Sequence, residues 1–382
     1  MKYSDKKLLF FFQDNPFAKG AGNIARAYSN MKHLKSLGFQ IDLVGVEDLY
    51  KNFGDPYEHI DRNMINDFLI LSRRPPKHLL SFTYWKYKII KLFSKKNKSN
   101  IFYTQYFKDS FSTFFKARTY DYIFINYEFW TDLINTKDLK GAKTIIDTHD
   151  WMTLNEFYKN KKLDIGKKFG QEIKNLSFYD KVITVSSDEH FIFKGFLGDK
   201  VINIPPNFPE NFISENTSKK YDLIFVGSDN PFNILSLNWF IDKVHPLLSE
   251  KIKICVIGKV CNHIPDRENI EKHVFVADLA EFYHHSKIAI CPMLEGTGIK
   301  IKVVEALSFG LPVVGTEKAL DGFTQKSKNG CLVSDDEKKF AENIVLLLNN
   351  SELYEEQKKE AVDFFINNFS EKKAIELLES IL

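Results

Sequence analysis

The residues best suited to chemistry lie together in the run Glu295, Gly296, Thr297, Gly298, Ile299, Lys300, Ile301, Lys302, Val303, Val304 and Glu305. A glycine-bearing turn that opens a helix presents free backbone N–H groups and the positive end of the helix dipole, which suits a phosphate. Lys300 and Lys302 would neutralise a diphosphate there. Gly298 and Thr297 would bring backbone close to it, and the Glu305 carboxylate could accept hydrogen bonds from ribose hydroxyls. The order of parts matches a nucleotide-sugar site. The plainer alternative is a strand, a turn and a surface helix with Lys302 and Glu305 as an ordinary ion pair three residues apart.

A second group stands in the first half of the chain. Asp147, Thr148, His149 and Asp150 close a short apolar run, the strand end at which α/β proteins place ligands. His149 is a candidate for orienting a sugar or managing a hydroxyl proton. Read structurally, it is a core histidine, with Asp147 and Asp150 capping the next helix. Gly20, Gly22 and Asn23 form a glycine loop after the first strand. Gly20, Gly22 and Ala25 also spell a dinucleotide fingerprint, with Asp42 as its ribose ligand. Against a nicotinamide or flavin, Asp14 to Lys19 separate the strand from the first glycine, and Asp42 sits inside the second strand rather than at its end.

No metal is expected. His284 and His285 have no third ligand at suitable spacing, and no DxD pair closes a strand. Cys255, Cys261, Cys291 and Cys331 form no CxxC pair and read as buried, reduced thiols of a cytoplasmic protein.

These residues need strands and helices to hold them. Short apolar runs alternate with segments of helical period, the pattern of a parallel α/β sheet. The first half predicts strands at 7–13, 41–46, 122–126, 143–147, 181–185 and 201–204, with helices at 23–37, 165–176 and 188–196. Pro205, Pro206 and Pro209 then break the pattern. A second series predicts strands at 221–226, 252–257, 273–276, 288–291 and 311–314, with helices at 233–248, 279–285, 300–309 and 338–349. The expected organisation is an N-terminal doubly wound domain over 1–205, a linker over 206–220, a nucleotide-sugar-binding domain over 221–351, and C-terminal helices over 352–382 that cross back to the first domain. Two such domains would face each other across a cleft.

Leu8 to Phe12 after the N-terminal lysines is too short for a signal-peptide core and reads as the first strand. No run of about eighteen apolar residues exists, so no transmembrane helix is expected.

The composition, with 53 basic against 50 acidic residues, excludes nucleic acid as a partner of the whole surface. The near balance conceals residues 68–108, which contain no Asp or Glu and carry Arg73, Arg74, Lys77, Lys86, Lys88, Lys91, Lys95, Lys96, Lys98 and Lys108. Within them Phe82, Trp85, Ile89 and Phe93 share one side of a helical wheel, with Lys88, Lys91 and Lys95 on the opposite one. Such a helix either packs its apolar face on its own domain or attaches residues 73–98 to an anionic membrane surface. The 35 Phe, 16 Tyr and 4 Trp must find room in thick cores or on such surfaces.

With the parts in this order, the stretch from Glu295 to Val314 resembles the donor-site signature of the GT-B glycosyltransferases, in particular the retaining family 4 group and its relatives, the glycosyl transferases group 1. In the usual pattern two glutamates frame the site. Glu305 matches the second, Thr297 occupies the place of the first, and Glu295 lies two residues too early. Tyr221 to Gly227 with Ser228 resembles the opening of the family's nucleotide-binding domain, with Ser228 where relatives carry an Arg. The segments around Gly22 and His149 resemble the family's glycine loop and its reaction-centre histidine.

The resemblance implies a two-domain GT-B fold and a retaining transferase that moves a sugar from a nucleoside diphosphate donor to a glycan or lipid-linked acceptor. It further implies work in bacterial surface polysaccharide assembly, in the cytoplasm or at the inner face of the cell membrane, without cofactor or metal. His149, Lys300 and Lys302 would serve catalysis, and Gly20, Gly22, Asn23, Asp150, Gly227, Ser228, Thr297, Gly298 and Glu305 would bind substrate. A GT-B epimerase, or a nucleotide-sugar-binding subunit without catalysis, are the other classes.

Overall fold

A computed structural model describes residues 2–18, 22–53, 57, 60–93, 104–134, 138–212 and 217–382. Gly20, Lys95, Lys96 and Lys98 lie outside these residues. The chain divides into two compact units, one made of residues up to 184 with 190–202 and Ile381, the other of 185–189 with 203–380 and Leu382.

In the first unit β1 (Lys7–Phe11), β2 (Gln40–Val46), β3 (Asp67–Leu71), β4 (Tyr122–Asn126), β5 (Lys143–Asp147), β6 (Lys181–Thr184) and β7 (Val201–Asn203) form one sheet in the order β3-β2-β1-β4-β5-β6-β7. Chain order reverses between β1 and β4, the point at which a doubly wound sheet opens a crevice at its strand ends. Leu8 to Phe12 are fully buried, as a strand covered on both faces requires. Part of the aromatic surplus is spent here. Phe10 stacks on Phe124 at 5.0 Å, and Phe11 meets Trp130 at 4.9 Å.

The second unit repeats the plan with β8 (Tyr221–Val226), β9 (Ile254–Ile257), β10 (Ile270–His273), β11 (Ser286–Cys291), β12 (Val313–Gly315) and β13 (Cys331–Val333), in the order β10-β9-β8-β11-β12-β13. Alternate residues feed two cores. Leu223, Ile254, Ile288 and Val314 pack with Leu237, Phe340 and Ile344 on one face. Ile224, Cys255, Ala289 and Val313 pack with Val303, Ala306, Phe364 and Phe365 on the other. The sheet is thus sandwiched between the helices Pro231–Trp239 and Glu337–Asn349 on one side and Ile301–Ser308 and Ser351–Asn368 on the other.

Several expected boundaries move. The predicted strand 273–276 is instead Ile270–His273, an edge strand, with Phe275 left exposed at 86%. The predicted helix 233–248 begins at Pro231 and passes after Trp239 into a π turn over Phe240–Val244. The segment expected as a linker is bound to the second unit: the Phe208 amide donates to Phe369 O at 3.0 Å and the Asn211 amide to Ser308 O at 2.9 Å. The C-terminal helices Ser351–Asn368 and Glu371–Glu379 also fall within that unit. Gly330, at φ +74°, lets the chain before β13 lie directly on Ala361.

Candidate functional site

In the second unit the central strands β8 and β11 are neighbours, so the segments that follow them emerge side by side. After β8 the chain passes Gly227 and Ser228 into a helix capped by Asn230, whose side chain accepts from the Asn233 amide at 2.8 Å, with Pro231 in the first turn. Gly258, at φ +108°, presses so closely on Gly227 that a Cβ there would lie 2.1 Å from the Gly227 carbonyl oxygen. The loop is therefore held from below, and a side chain at 258 would displace it.

After β11, Gly296 and Gly298 take left-handed backbone at φ +103° and +67°, conformations open to glycine. The turn delivers the chain to the helix Ile301–Ser308. Its N-cap is Lys300, which supplies no side-chain acceptor to the first turn; its carbonyl takes the Val303 amide at 2.8 Å, and the positive end of the helix dipole faces the glycine turn.

Lys300 and Lys302 are drawn into the protein and do not wave on a surface. Lys300 is 7% exposed, and its Nζ donates to Gly298 O at 2.8 Å and lies 3.4 Å from Asp321 Oδ2. Burial pulls its ammonium below the ordinary lysine range, with Asp321 opposing. Lys302 Nζ donates to Asn233 Oδ1 at 2.7 Å and sits 4.3 Å from the centre of the Phe225 ring. Burial lowers it to about 8. Among the described residues Lys302 has no carboxylate partner. Glu305, one turn further on, accepts from the buried Tyr283 hydroxyl at 2.9 Å, and burial raises its carboxyl above the usual range. The simple surface pair of Lys302 with Glu305 is thus absent: the cation turns to Asn233 and the carboxylate to Tyr283.

Asn233 joins the two segments, since its Nδ2 donates to Ser228 O at 3.0 Å while its Oδ1 receives Lys302. The arrangement offers one buried and one half-buried cation, a glycine turn and a carboxylate between Gly296 and Glu305, which is what a diphosphate joined to a ribose requires.

The first unit builds a separate constellation at the ends of β4 and β5. Tyr127 and His149, just beyond these strands, both adopt left-handed backbone, at φ +69° and +61°. Non-glycine residues seldom hold this conformation unless their surroundings enforce it. Their rings stack at 4.4 Å, and Phe12 covers His149 at 5.8 Å. His149 Nε2 lies 2.7 Å from Asn126 Oδ1. Asn126 Nδ2 is already committed to Phe11 O at 2.8 Å, so Oδ1 is the acceptor and Nε2 carries the proton. That assignment leaves Nδ1 with its lone pair, and among the described residues it has no hydrogen-bond partner. Burial lowers the His149 pKa to about 4, which keeps the ring neutral at neutral pH.

Asp147 is an anchor and not a helix cap. Arg26 grips it through Nε at 2.8 Å and Nη2 at 3.0 Å, and Asn30 donates at 2.7 Å. Burial alone would raise this carboxyl, but the Arg26 charge holds it below the usual range. Arg26 and Asn30 are one helical turn apart on Gly22–Leu37, so the helix that follows the glycine loop is fastened to the strand carrying His149. Asn23, near its start, donates to Asp14 at 3.4 Å. Asp150 is exposed. Asp42 is occupied by Tyr120 and Asn66, both at 2.9 Å, and is not free for a ribose.

The structure thus brings together Gly227, Ser228, Thr297, Gly298, Lys300, Lys302 and Glu305 in one unit, and Gly22, Asn23, His149 and Asp150 in the other. Sequence reading missed Asn233, Tyr283 and Asp321 in the first group and Arg26, Asn126 and Asn30 in the second. Only Arg26 carried a signal, as a charged residue inside a helix that follows a glycine loop.

Residues 220–350 match the family described as glycosyl transferases group 1. A protein of Klebsiella pneumoniae named "Uncharacterized 44.6 kDa protein in cps region" is 25% identical over 292 residues, which cover 67% of this chain and 72% of the relative. HepE of Anabaena, solved with UDP, superposes with a TM-score of 0.70 at 13% identity, over 98% of each chain. Sucrose-phosphate synthase of Thermosynechococcus elongatus gives 0.68 at 12% identity, again over 98% of each. TarM of S. aureus, solved with fondaparinux, alpha-GlcNAc-glycerol and UDP, gives 0.65 at 13% identity over 98% and 99%. The fold class is α/β and GT-B, with two parallel sheets flanked by helices.

Proposed function

We propose that the chain is a retaining glycosyltransferase that moves a sugar from a nucleoside diphosphate donor to a glycan or lipid-linked acceptor in bacterial surface polysaccharide assembly. The observation that carries this reading is Lys302, a half-buried ammonium that Asn233 Oδ1 holds and that has no carboxylate partner among the described residues, set beside the buried cation Lys300 at the start of the helix Ile301–Ser308. A desolvated cation of this kind is costly unless an anion completes it. The diphosphate does so, and its departure in the reaction is favoured by the same charges, already oriented before the donor arrives. On this reading the lysines take the part that a divalent metal plays in other transferases. Glu305, backed by Tyr283, holds the ribose, while Gly227 and Ser228 line the diphosphate. Support comes also from the UDP bound in the HepE and TarM structures and from the cps-region relative.

In the proposed step the bond from the sugar C1 to the diphosphate oxygen breaks and the acceptor oxygen bonds to C1 on the same face. The acceptor proton passes to the departing phosphate oxygen. A histidine lowered to about 4 is a weak base, so His149 is assigned to accept a sugar hydroxyl hydrogen bond at Nδ1 and not to remove the proton. In the first unit, Asp150, Gly22 and Asn23 are assigned to substrate along with His149. The four free cysteines, all buried, fit work in the reducing cytoplasm at the inner face of the cell membrane.

Thermal-shift measurements against a panel of UDP-, GDP- and other nucleotide sugars, followed by assay of the stabilising donor with and without acceptor, test the proposal. Stabilisation by one donor and acceptor-dependent release of its diphosphate are expected. A free, altered sugar nucleotide would mark an epimerase instead, and indifference to every nucleotide sugar would contradict the reading.

A further inference from the structure

The helix Phe82–Phe93 buries none of its twelve residues. Its attachment is nonetheless plain. Tyr87 donates to Asp109 Oδ2 at 2.6 Å and its ring meets Tyr106 edge-on at 5.0 Å, which seats the helix against Gln105–Lys116. Tyr84, Tyr87 and Ile90, spaced by three, are its half-buried positions. At about 100° per residue, Phe82, Trp85, Ile89, Leu92 and Phe93 fall within an arc of about 100° on nearly the opposite side. They are exposed at 83, 42, 51, 78 and 83%, and Leu79 and Leu80 ahead of the helix extend the patch at 66 and 92%. Single exposed apolar side chains are ordinary, but seven neighbours in one stretch mark an interaction face. The helix therefore packs through its tyrosines and leaves the apolar arc outward, the reverse of the self-packing alternative.

The surrounding charge says what covers it. On the same wheel Lys86 and Lys88 border the arc on its two sides, and Lys88 Nζ lies 4.4 Å above the Trp85 ring. Arg74 and Lys77 are exposed just before the patch, and no carboxylate occurs from 68 to 108. Two copies meeting through this face would oppose like charges with no acidic residue of the stretch to pair them. An anionic bilayer satisfies both features at once. The apolar arc enters the acyl boundary, Trp85 lies at the interface, and the lysine stems reach up to the headgroups. We infer that residues 74–93 form an in-plane docking face for anionic lipid. This inference does not depend on the donor site.

Flotation of the full chain with vesicles of phosphatidylcholine alone, or mixed with phosphatidylglycerol, tests it. Binding to the mixed vesicles, weak binding to the neutral ones and release by high salt are expected. The variants Lys86→Glu with Lys88→Glu, and Phe82→Ser with Leu92→Ser and Phe93→Ser, should each lower partitioning by about tenfold or more, while UDP or GDP binding and the circular dichroism spectrum stay unchanged. The inference is overturned by absence of binding to anionic vesicles, by equal binding to neutral ones, or by binding that neither variant weakens. It is also overturned by a dimer in light scattering that the Phe82, Leu92 and Phe93 variant converts to monomer, since that assigns the face to a second copy.

Discussion

Lys302 Nζ rests 2.7 Å from Asn233 Oδ1, and the same amide holds the Ser228 carbonyl. A half-buried cation is thus fixed by a neutral group that also sets the loop after β8. An incoming anion can bind it without first breaking an ion pair, so the site is organised before the donor arrives.

Such a cation destabilises the empty protein. With its pKa lowered to about 8 by burial, Lys302 binds its proton less readily when folded than when unfolded. The penalty is full below pH 8 and fades as pH rises towards the unfolded value near 10.4. Lys302→Met should therefore raise unfolding free energy at pH 7 by about 1–3 kcal/mol in denaturant titrations without ligand. The gap to wild type should narrow when the titration is repeated at pH 9.

Donor affinity should carry the same signature in the opposite sense. Bound diphosphate favours the charged lysine, so affinity for a nucleoside diphosphate is expected to be level up to about pH 8 and to fall above it. Lys302→Arg, which stays charged, should retain binding and lose this alkaline decline. Calorimetry across pH checks both.

Glu305→Gln keeps an acceptor for Tyr283 and removes the carboxylate charge. We expect weaker binding of nucleoside diphosphate by about tenfold, the value of a charge-assisted hydrogen bond, with no loss of melting temperature. Inorganic pyrophosphate, which has no ribose, should bind this variant as it binds wild type. An equal loss for both ligands would place Glu305 at the phosphates.

His149 should register in acid. Its folded pKa, about 4 through burial, lies below the unfolded value near 6.5, so the unfolded state takes up the proton first as pH falls through that window. Wild type should lose about 1–3 kcal/mol between pH 7 and pH 5 that His149→Gln does not lose, measured by urea unfolding.

The two parallel sheets were legible because their central strands are buried on both faces and read as unbroken apolar runs, as Leu8 to Phe12 and Ile288 to Cys291 do. Edge strands carry less of this signal. β3, β10 and β13 were missed or displaced because a strand of three to five residues with one neighbour needs little apolar sequence. Within the site, glycines and charged residues announced themselves by type and spacing. Asn233, Tyr283 and Asn126 did not, since their roles arise from contacts across 22 to 69 positions of sequence. The apolar face of Phe82–Phe93 was visible as a helical pattern, but its outward direction depends on Tyr87 finding Asp109.

The most direct test of the proposed donor site is calorimetry of UDP and GDP with wild type and Lys302→Ala. The account predicts that one of these nucleotides binds wild type and that the substitution weakens it by about 10- to 100-fold, the value of a hydrogen bond to a charged group, with the fold intact. Affinity unchanged in the variant, or no binding of either nucleotide to wild type, would contradict it.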